Sequence, residues 1–300
     1  MNIVARTATP ADVERMMPQL DDQFVYGKGR DISLVQRFPA VYCPENARNL
    51  FLLVENSEIL SSVACKCFTL RCESGSWNGA MIGAVYTRPQ RRGEQLASRI
   101  LEHAAWSLRE RQLDFAVLWT DQPAFYARLG WSSVDCGLLG EFENSGECAQ
   151  SRGGIISMAA HECDIALIER VRERWCERMT PRQADDYRQL PLPAQAVLML
   201  ASGAGSNHMA YALLGTKADT GILYEMVGHP DGFSALWPEI CRGYRKILIN
   251  DATGSPSHCW LLQHTRVIWT EKPLAMWLTL SGKSHLSQLK HWYIPYFDRI

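Results

Sequence analysis

The sequence lacks an excess of charge of either sign. Its 31 Lys and Arg nearly balance its 32 Asp and Glu, leaving a net charge of −1. A broad nucleic-acid footprint needs a face rich in Lys and Arg, so no nucleic-acid partner is expected. Long apolar runs are also missing. No segment approaches the roughly 18 residues needed to span a bilayer. The start, Met1 to Thr7, has no basic stretch followed by a sustained apolar one. The expectation is therefore no membrane partner and a cytoplasmic location. The ten Cys do not fall at metal-ligand spacings. Cys65 and Cys67 share one face of an expected strand, with Cys72 beyond, but a zinc site needs about four ligands and no fourth is suitably placed. Reduced core thiols and no metal are expected. There is no Walker-type loop and no Gly-x-Ser-x-Gly elbow, and Gly203-Ala204-Gly205 lacks the third Gly of a dinucleotide fingerprint.

Apolar residues are not scarce: they make up 47% of 300 residues, enough for two domains of ordinary size with full cores. Two halves share one order of elements. In the first, Asn49 to Glu55, Ile59 to Thr69 and Gly79 to Thr87 read as strands, the last two joined by a turn at Glu73-Ser74-Gly75-Ser76. A turn rich in Pro and Arg follows, then a helix from Gln95 to Arg111. Leu96, Ala97, Ile100, Leu101, Ala104, Ala105 and Leu108 form one apolar stripe on it at helical spacing. Phe115 to Trp119 reads as a short buried strand. The second half repeats this loosely. Ala196 to Leu200, His208 to Leu214 and Gly221 to Val227 read as strands, Phe233 to Arg242 as a helix and Lys246 to Asn250 as a strand. A helix at Cys163 to Arg178 leads into this half, and the polar stretch Glu141 to Gly154 reads as the linker.

The informative segment runs from Val85 to Ala97. It passes from a strand through Pro89-Gln90-Arg91-Arg92-Gly93-Glu94-Gln95 into a helix. The first N–H groups of a helix have no intrahelical partner, and that end carries partial positive charge. Arg88, Arg91 and Arg92 add to it and can hold phosphate oxygens bidentately. Together these make an anion site.

Thr87-Arg88-Pro89, then Gln90-Arg91-Arg92-Gly93-Glu94-Gln95, then Phe125-Tyr126 through Gly130-Trp131 resemble the ordered motifs of the GNAT superfamily of acetyltransferases. The likeness covers about residues 1 to 140. It departs at Gln95, where the family usually has Gly or Ala. The resemblance implies an α+β fold of two GNAT-like domains, each a mixed, mostly antiparallel central sheet flanked by helices. The layout implied is residues 1–150 as a catalytic domain, 151–283 as a degenerate one and 284–300 as a docked tail. The second half has Gly228-His229-Pro230-Asp231-Gly232 in the loop position, without Arg and with a repelling Asp231. The layout is similar to tandem GNAT proteins of the Eis type, which share the Arg-Arg-Gly loop.

Acetyl-CoA is the implied cosubstrate. Val85, Tyr86, Thr87, Arg91, Arg92, Gly93, Glu94, Gln95, Leu96 and Ala97 are its implied contacts. The resemblance makes Tyr126 the acid that protonates the leaving thiolate. Asp21, Asp22, Phe24 and Tyr26 are candidates for binding the acceptor, a primary amine on a small molecule or peptide. A cationic, partly apolar amine suits them. An amine attacking a thioester must lose a proton, and Asp298, the Ile300 carboxylate, Glu73, Asp21 and Asp22 are candidate bases. The aromatic tail, His291 to Ile300, exposes too much apolar surface to be left in water. It either seals the second sheet or reaches the first domain's site. The alternative to catalysis is a non-catalytic acyl-CoA sensor, with Gln95 marking lost turnover.

Overall fold

The computed structural model describes residues 2–72, 75–144, 154–182, 186, 196–201, 209–282 and 291–300. In chain order the first half holds β1 (Val4–Thr7), α1 (Pro10–Phe24), α2 (Leu34–Arg37), β2 (Leu50–Glu55), β3 (Glu58–Cys72), β4 (Gly75–Thr87), α3 (Leu96–Glu110), β5 (Phe115–Leu118), α4 (Pro123–Ala127), β6 (Ser132–Ser133) and β7 (Gly137–Glu143). The second holds β8 (Ile155–Ala159), α5 (Ile165–Trp175), β9 (Arg178–Met179), β10 (Val197–Ala201), β11 (Ala210–Lys217), β12 (Thr220–Gly228), α6 (Pro230–Arg242), β13 (Lys246–Ala252), α7 (Pro256–His264), β14 (Ile268–Glu271) and β15 (Met276–Thr279).

Two mixed sheets result. One has the order β1–β2–β3–β4–β5–β15–β6, with β9 pairing β3 at its far end. The other has the order β14–β7–β13–β12–β11–β10–β8. All pairs are antiparallel except β4 with β5 and β12 with β13. Each parallel pair spans a crossover helix, α3 or α6, as a parallel connection demands.

The amphipathic stripe read from α3 does form the core. Leu96, Ile100, Leu101, Ala104, Ala105 and Leu108 are buried against Phe51, Leu53, Leu60 and Val63. Each large apolar side chain so buried contributes about 1.5–3 kcal/mol. The β3–β4 hairpin is longer than the sequence pattern suggested, because Leu70, Arg71 and Cys72 keep pairing with Trp77, Ser76 and Gly75. Ser76 and Gly75 thus lie in a strand rather than in the turn.

The sheets do not divide where the chain does. Gly137–Glu143 lies in the second sheet, between β13 and β14, so Glu141 to Glu143 is strand rather than linker. Its Leu138 is buried, and all seven of its residues pair along β13. Conversely, Met276–Thr279 inserts into the first sheet between β5 and β6. Trp277 is fully buried there, packed on Phe115 and Trp292. Asp114 secures the insertion: its carbonyl accepts from the Leu280 N–H at 2.9 Å and its carboxylate from the Ser281 hydroxyl at 3.0 Å.

The tail packs against both sheets. Trp292 and Ile294 join the first-sheet core, and Phe297 joins the second-sheet core. Ile300 then returns to the first domain, where its side chain lies 3.3 Å from where a Cβ on Gly83 would stand.

Candidate active site

The site begins where β4 leaves β5. The parallel pairing covers only Gly79, Ala80 and Met81, opposite Phe115, Ala116 and Val117. Beyond Met81 the strands splay. On its other edge β4 carries a bulge, as the register with β3 jumps between Ser62 and Ala64. Ala84 sits in the bulge at φ +43°, a left-handed conformation that costs an L-residue about 1–2 kcal/mol. The bulge turns the strand outward, and Ile82 to Val85 and Thr87 line a cleft of about 1500 Å³. The opening therefore starts earlier along β4 than Val85-Tyr86-Thr87 implied. Tyr86 is buried and its ring lines a smaller cavity with Asp22 and Arg88.

The loop after β4 opens onto the same cleft through Arg92, Gly93 and Gln95 to Ser98. Gly93 at φ +89° and Gln95 at φ +58° both take left-handed conformations. These turn successive amides one way, and among the described residues the N–H groups of residues 93 to 98 have no acceptor. Such a row at the start of a 15-residue helix suits an anion. The arginines share this task unequally. Arg91 is held by Glu94 at 2.7 Å and Glu55 at 2.9 Å, and Arg88 by Glu58 at 2.6 Å. Among the described residues Arg92 donates only to the neutral Gln23 side chain, at 2.8 Å, and no carboxylate there cancels its charge. Glu94 faces Arg91 rather than the cleft.

Gln95 now has a physical reading. Its position needs a left-handed residue, which a glycine adopts without strain. Gln95→Gly should therefore keep the stability of the parent or raise it by up to about 1 kcal/mol. Thermal unfolding checks this, and a clear loss would contradict the strain.

Tyr126 lies on α4 and lines the cleft. Its ring packs edge-on against Phe125 and Trp131, with centroids at 4.9 and 6.2 Å. Burial, with a smaller contribution from the Asp121 charge, pushes the phenol up to about 12.

The candidate acceptor and base residues separate. Phe24 lines the cleft. Asp22 lines only the smaller cavity, and Tyr26 is 58% exposed outside both. Asp21 is buried and accepts the Leu34 N–H at 2.8 Å, capping the start of α2. Glu73 lies outside the described residues. Asp298 is not free to act as a base. It is buried between Arg182 and Arg172, and despite the cost of burial these charges hold it down at about 2. Ile300 does stand in the cleft, with Tyr296 and Arg299. Sequence reasoning passed over those two, and over Arg37 on α2, which also line it. Only their place in the folded chain brings them there.

The second domain repeats the splay without the loop. β12 pairs β13 over Thr220 to Leu223 only. Gly228, at φ +137°, leads through His229 straight into α6 at Pro230. Gly228 and Gly232 both abut Ala210 so closely that a Cβ on either would stand within 2.5 Å of it. That junction has no loop of amides ahead of the helix and carries Asp231 in place of an arginine. Among the described residues, no group of three His, Cys, Asp or Glu is placed to hold a metal, and no helix is long and apolar enough to cross a membrane.

Residues 4–134 match the family model described as an acetyltransferase (GNAT) domain. No curated protein is recognisably similar in sequence. Solved structures share the fold at low identity. A GCN5-related N-acetyltransferase from Anabaena variabilis matches with TM-score 0.73 and 11% identity, over 93% of this chain and 73% of its own. Eis1 from Mycobacterium abscessus gives 0.65 and 12%, over 93% and 74%. A tandem GNAT protein from the clavulanic acid biosynthesis pathway gives 0.58 and 10%, over 94% and 99%. At such identities the structures speak for the fold alone. Residues 4–134 are thus similar to an acetyltransferase (GNAT) domain, and the chain as a whole has a tandem GNAT fold.

Proposed function

We propose that the chain transfers an acetyl group from acetyl-CoA to the primary amine of a small molecule or peptide, by direct attack on the thioester. The observation that supports this is the convergence on one cleft of three parts: the amide row of residues 93 to 98, the splayed edge of β4 and the Tyr126 phenol. The residues fit the cosubstrate, since the amide row supplies donors without acceptors among the described residues, and Arg92 a charge that no carboxylate meets there, where a pyrophosphate is to be held. Bound acetyl-CoA supplies an activated acyl group on sulfur. The chain's own part is to hold the anion at Gly93 to Ala97, to offer β4 backbone groups from Ile82 to Val85 along the cleft, and to present the Tyr126 hydroxyl to the leaving sulfur. Electrostatic stabilisation of this kind costs no reorganisation at the moment of reaction. Of the candidate bases whose surroundings are described, Ile300 alone lines the main cleft, and we keep it as the candidate base. The proposed setting is the cytoplasm.

Titration with acetyl-CoA by calorimetry tests the binding half of this reading. One site per chain is expected, because the Gly228–Pro230 junction leaves no second loop. Arg92→Ala should weaken binding by about 1–3 kcal/mol, the range for a charge-assisted hydrogen bond. Two equivalent sites, or an unchanged affinity in the variant, would contradict the assignment.

A further inference from the structure

The wall of the cleft is unbalanced in charge. Lys28, Arg30, Arg37, Arg92, Arg128 and Arg299 line it, against only the carboxylates of Asp121 and Ile300. Arg92 belongs to the loop already described, and Asp121 acts on Tyr126. Exposed lysines and arginines need no partner. Arg37 and Arg299 differ, because part of each guanidinium is shut off from solvent.

Arg37 lies on α2, 5.2 Å from the Phe38 ring. Its Nε is buried and has no acceptor among the described residues. Arg299 lies on the tail, over the rings of Trp119, Tyr296 and Tyr293 at 5.1, 5.4 and 5.6 Å. Its Nε donates to the Ile294 carbonyl at 3.1 Å, while its Nη2 is buried without an acceptor. Neither makes an ion pair among the described residues. The two fully buried arginines do: Arg172 faces Glu169 at 2.6 Å, and Arg182 faces Glu225 and Asp298.

Among the described residues no carboxylate, that of Ile300 included, comes within ion-pair distance of either. Burial lowers the Arg37 pKa from its usual value and the Arg30 charge adds to this, with only the Tyr296 and Tyr224 phenols opposing. Asp135 senses the Arg299 charge, but its oxygens already accept the Gly137, Leu274 and Ala275 N–H groups at 3.0, 2.9 and 2.9 Å. A guanidinium does not shed its proton in a protein, so a buried one is costly until an anion meets it. Both arginines border Tyr296 and belong to the wall made by α2 and the tail. The amide row lies on a different element, at the start of α3.

We infer that the acceptor is an amine that also carries a carboxylate, as an amino acid or acidic peptide does, and that Arg37 and Arg299 receive this group. The inference rests on the acetyltransferase reading and names its acceptor class. It replaces the expectation of a cationic, partly apolar amine, whose supposed partners Asp21 and Asp22 lie outside this cleft. A guanidinium pair matches a carboxylate through parallel N–H donors. A polyamine would meet repulsion along the same wall.

The test has two stages. Calorimetry with acetyl-CoA comes first, and absence of binding refutes the acetyltransferase reading itself. Thiol release is then measured on matched pairs: free amino acids against their carboxamides, dipeptides against their C-terminal amides, with spermidine as the cationic arm. N-acetylated amino acids with CoA are scored by thermal shift as product analogues. The carboxylate member of each pair should have at least a 10-fold higher kcat/KM. Arg37→Gln and Arg299→Gln should each collapse that ratio towards unity through KM, with the acetyl-CoA Kd held. Should Arg299→Gln fail to fold, Arg37→Gln carries the comparison alone. Equal or better turnover of the amides or spermidine overturns the proposal. So does a weakened acetyl-CoA Kd in the variants, which would assign these cations to CoA phosphates. If acetyl-CoA binds but no carboxylate is turned over or stabilises the protein, the proposal falls and the acetyltransferase reading stands.

Discussion

Replacing Tyr126 with Phe should cut turnover roughly 10²-fold or more, the scale of general-acid contributions, while acetyl-CoA affinity and thermal stability hold. The ring keeps its contacts with Phe125 and Trp131 and only the hydroxyl is lost. The pH dependence carries a second test. Burial raises this phenol to about 12, so it stays protonated through neutral and mildly alkaline pH. A proton held that tightly acts mainly as a hydrogen-bond donor, stabilising charge on a sulfur whose parent thiol has a pKa near about 8.5. The kcat profile should therefore show no alkaline fall below about pH 10 attributable to Tyr126. A variant as active as the parent, or an alkaline limb near neutrality that Tyr126→Phe abolishes, would move the role or revise the environment described for it.

Arg182→Met should destabilise the protein by about 3–5 kcal/mol, the cost of removing one partner from a buried ionic cluster. Its guanidinium spans two carboxylates: Glu225 at 2.5 and 2.7 Å and Asp298 at 2.7 and 3.0 Å. Without it two buried acids are left with Arg172, which is 3.9 Å from Asp298. Chemical denaturation measures the loss, and a change below about 1 kcal/mol would mean that the cluster relaxes or hydrates. The sign with pH follows from Asp298, which is depressed to about 2 from an ordinary value near 3.9. Its contribution is fully present above about pH 4 and is lost as pH falls towards 2, so the variant and parent should converge in acid. The same cluster anchors the tail one and two residues before Arg299 and Ile300. The variant should therefore also lose turnover under conditions where it remains folded.

Much of the first sheet was legible because its signals are local. The α3 stripe, the strand before it and the loop between them are each set by neighbours within about 20 residues of chain. The amide row could be anticipated because any helix start leaves donors unpaired, and Gln95 could be flagged although its left-handed backbone could not be seen. What escaped depends on distant partners. Met276–Thr279 shows only a short apolar run, and nothing in it names Phe115 to Leu118 as its neighbour. Gly137 to Glu143 carries two Gly and two Glu, a composition that reads as loop until β13 and β14 flank it. Asp298 looked like a free acid because Arg182 lies 116 residues away. Arg37 and Arg299 were not singled out, since burial is a property of the assembled cleft rather than of the residue.

The exchange of β7 and β15 between the sheets bears on how the protein can be made. Met276 follows Leu118 by 158 residues, so at about 5–20 residues per second the ribosome takes roughly 10–30 s to deliver the strand that covers β5. During that interval Phe115 to Leu118 has an open edge, the kind of surface that pairs with other chains. The acyltransferase half cannot mature ahead of the rest, and a fragment ending near residue 150 should aggregate even though the family motifs are all inside it.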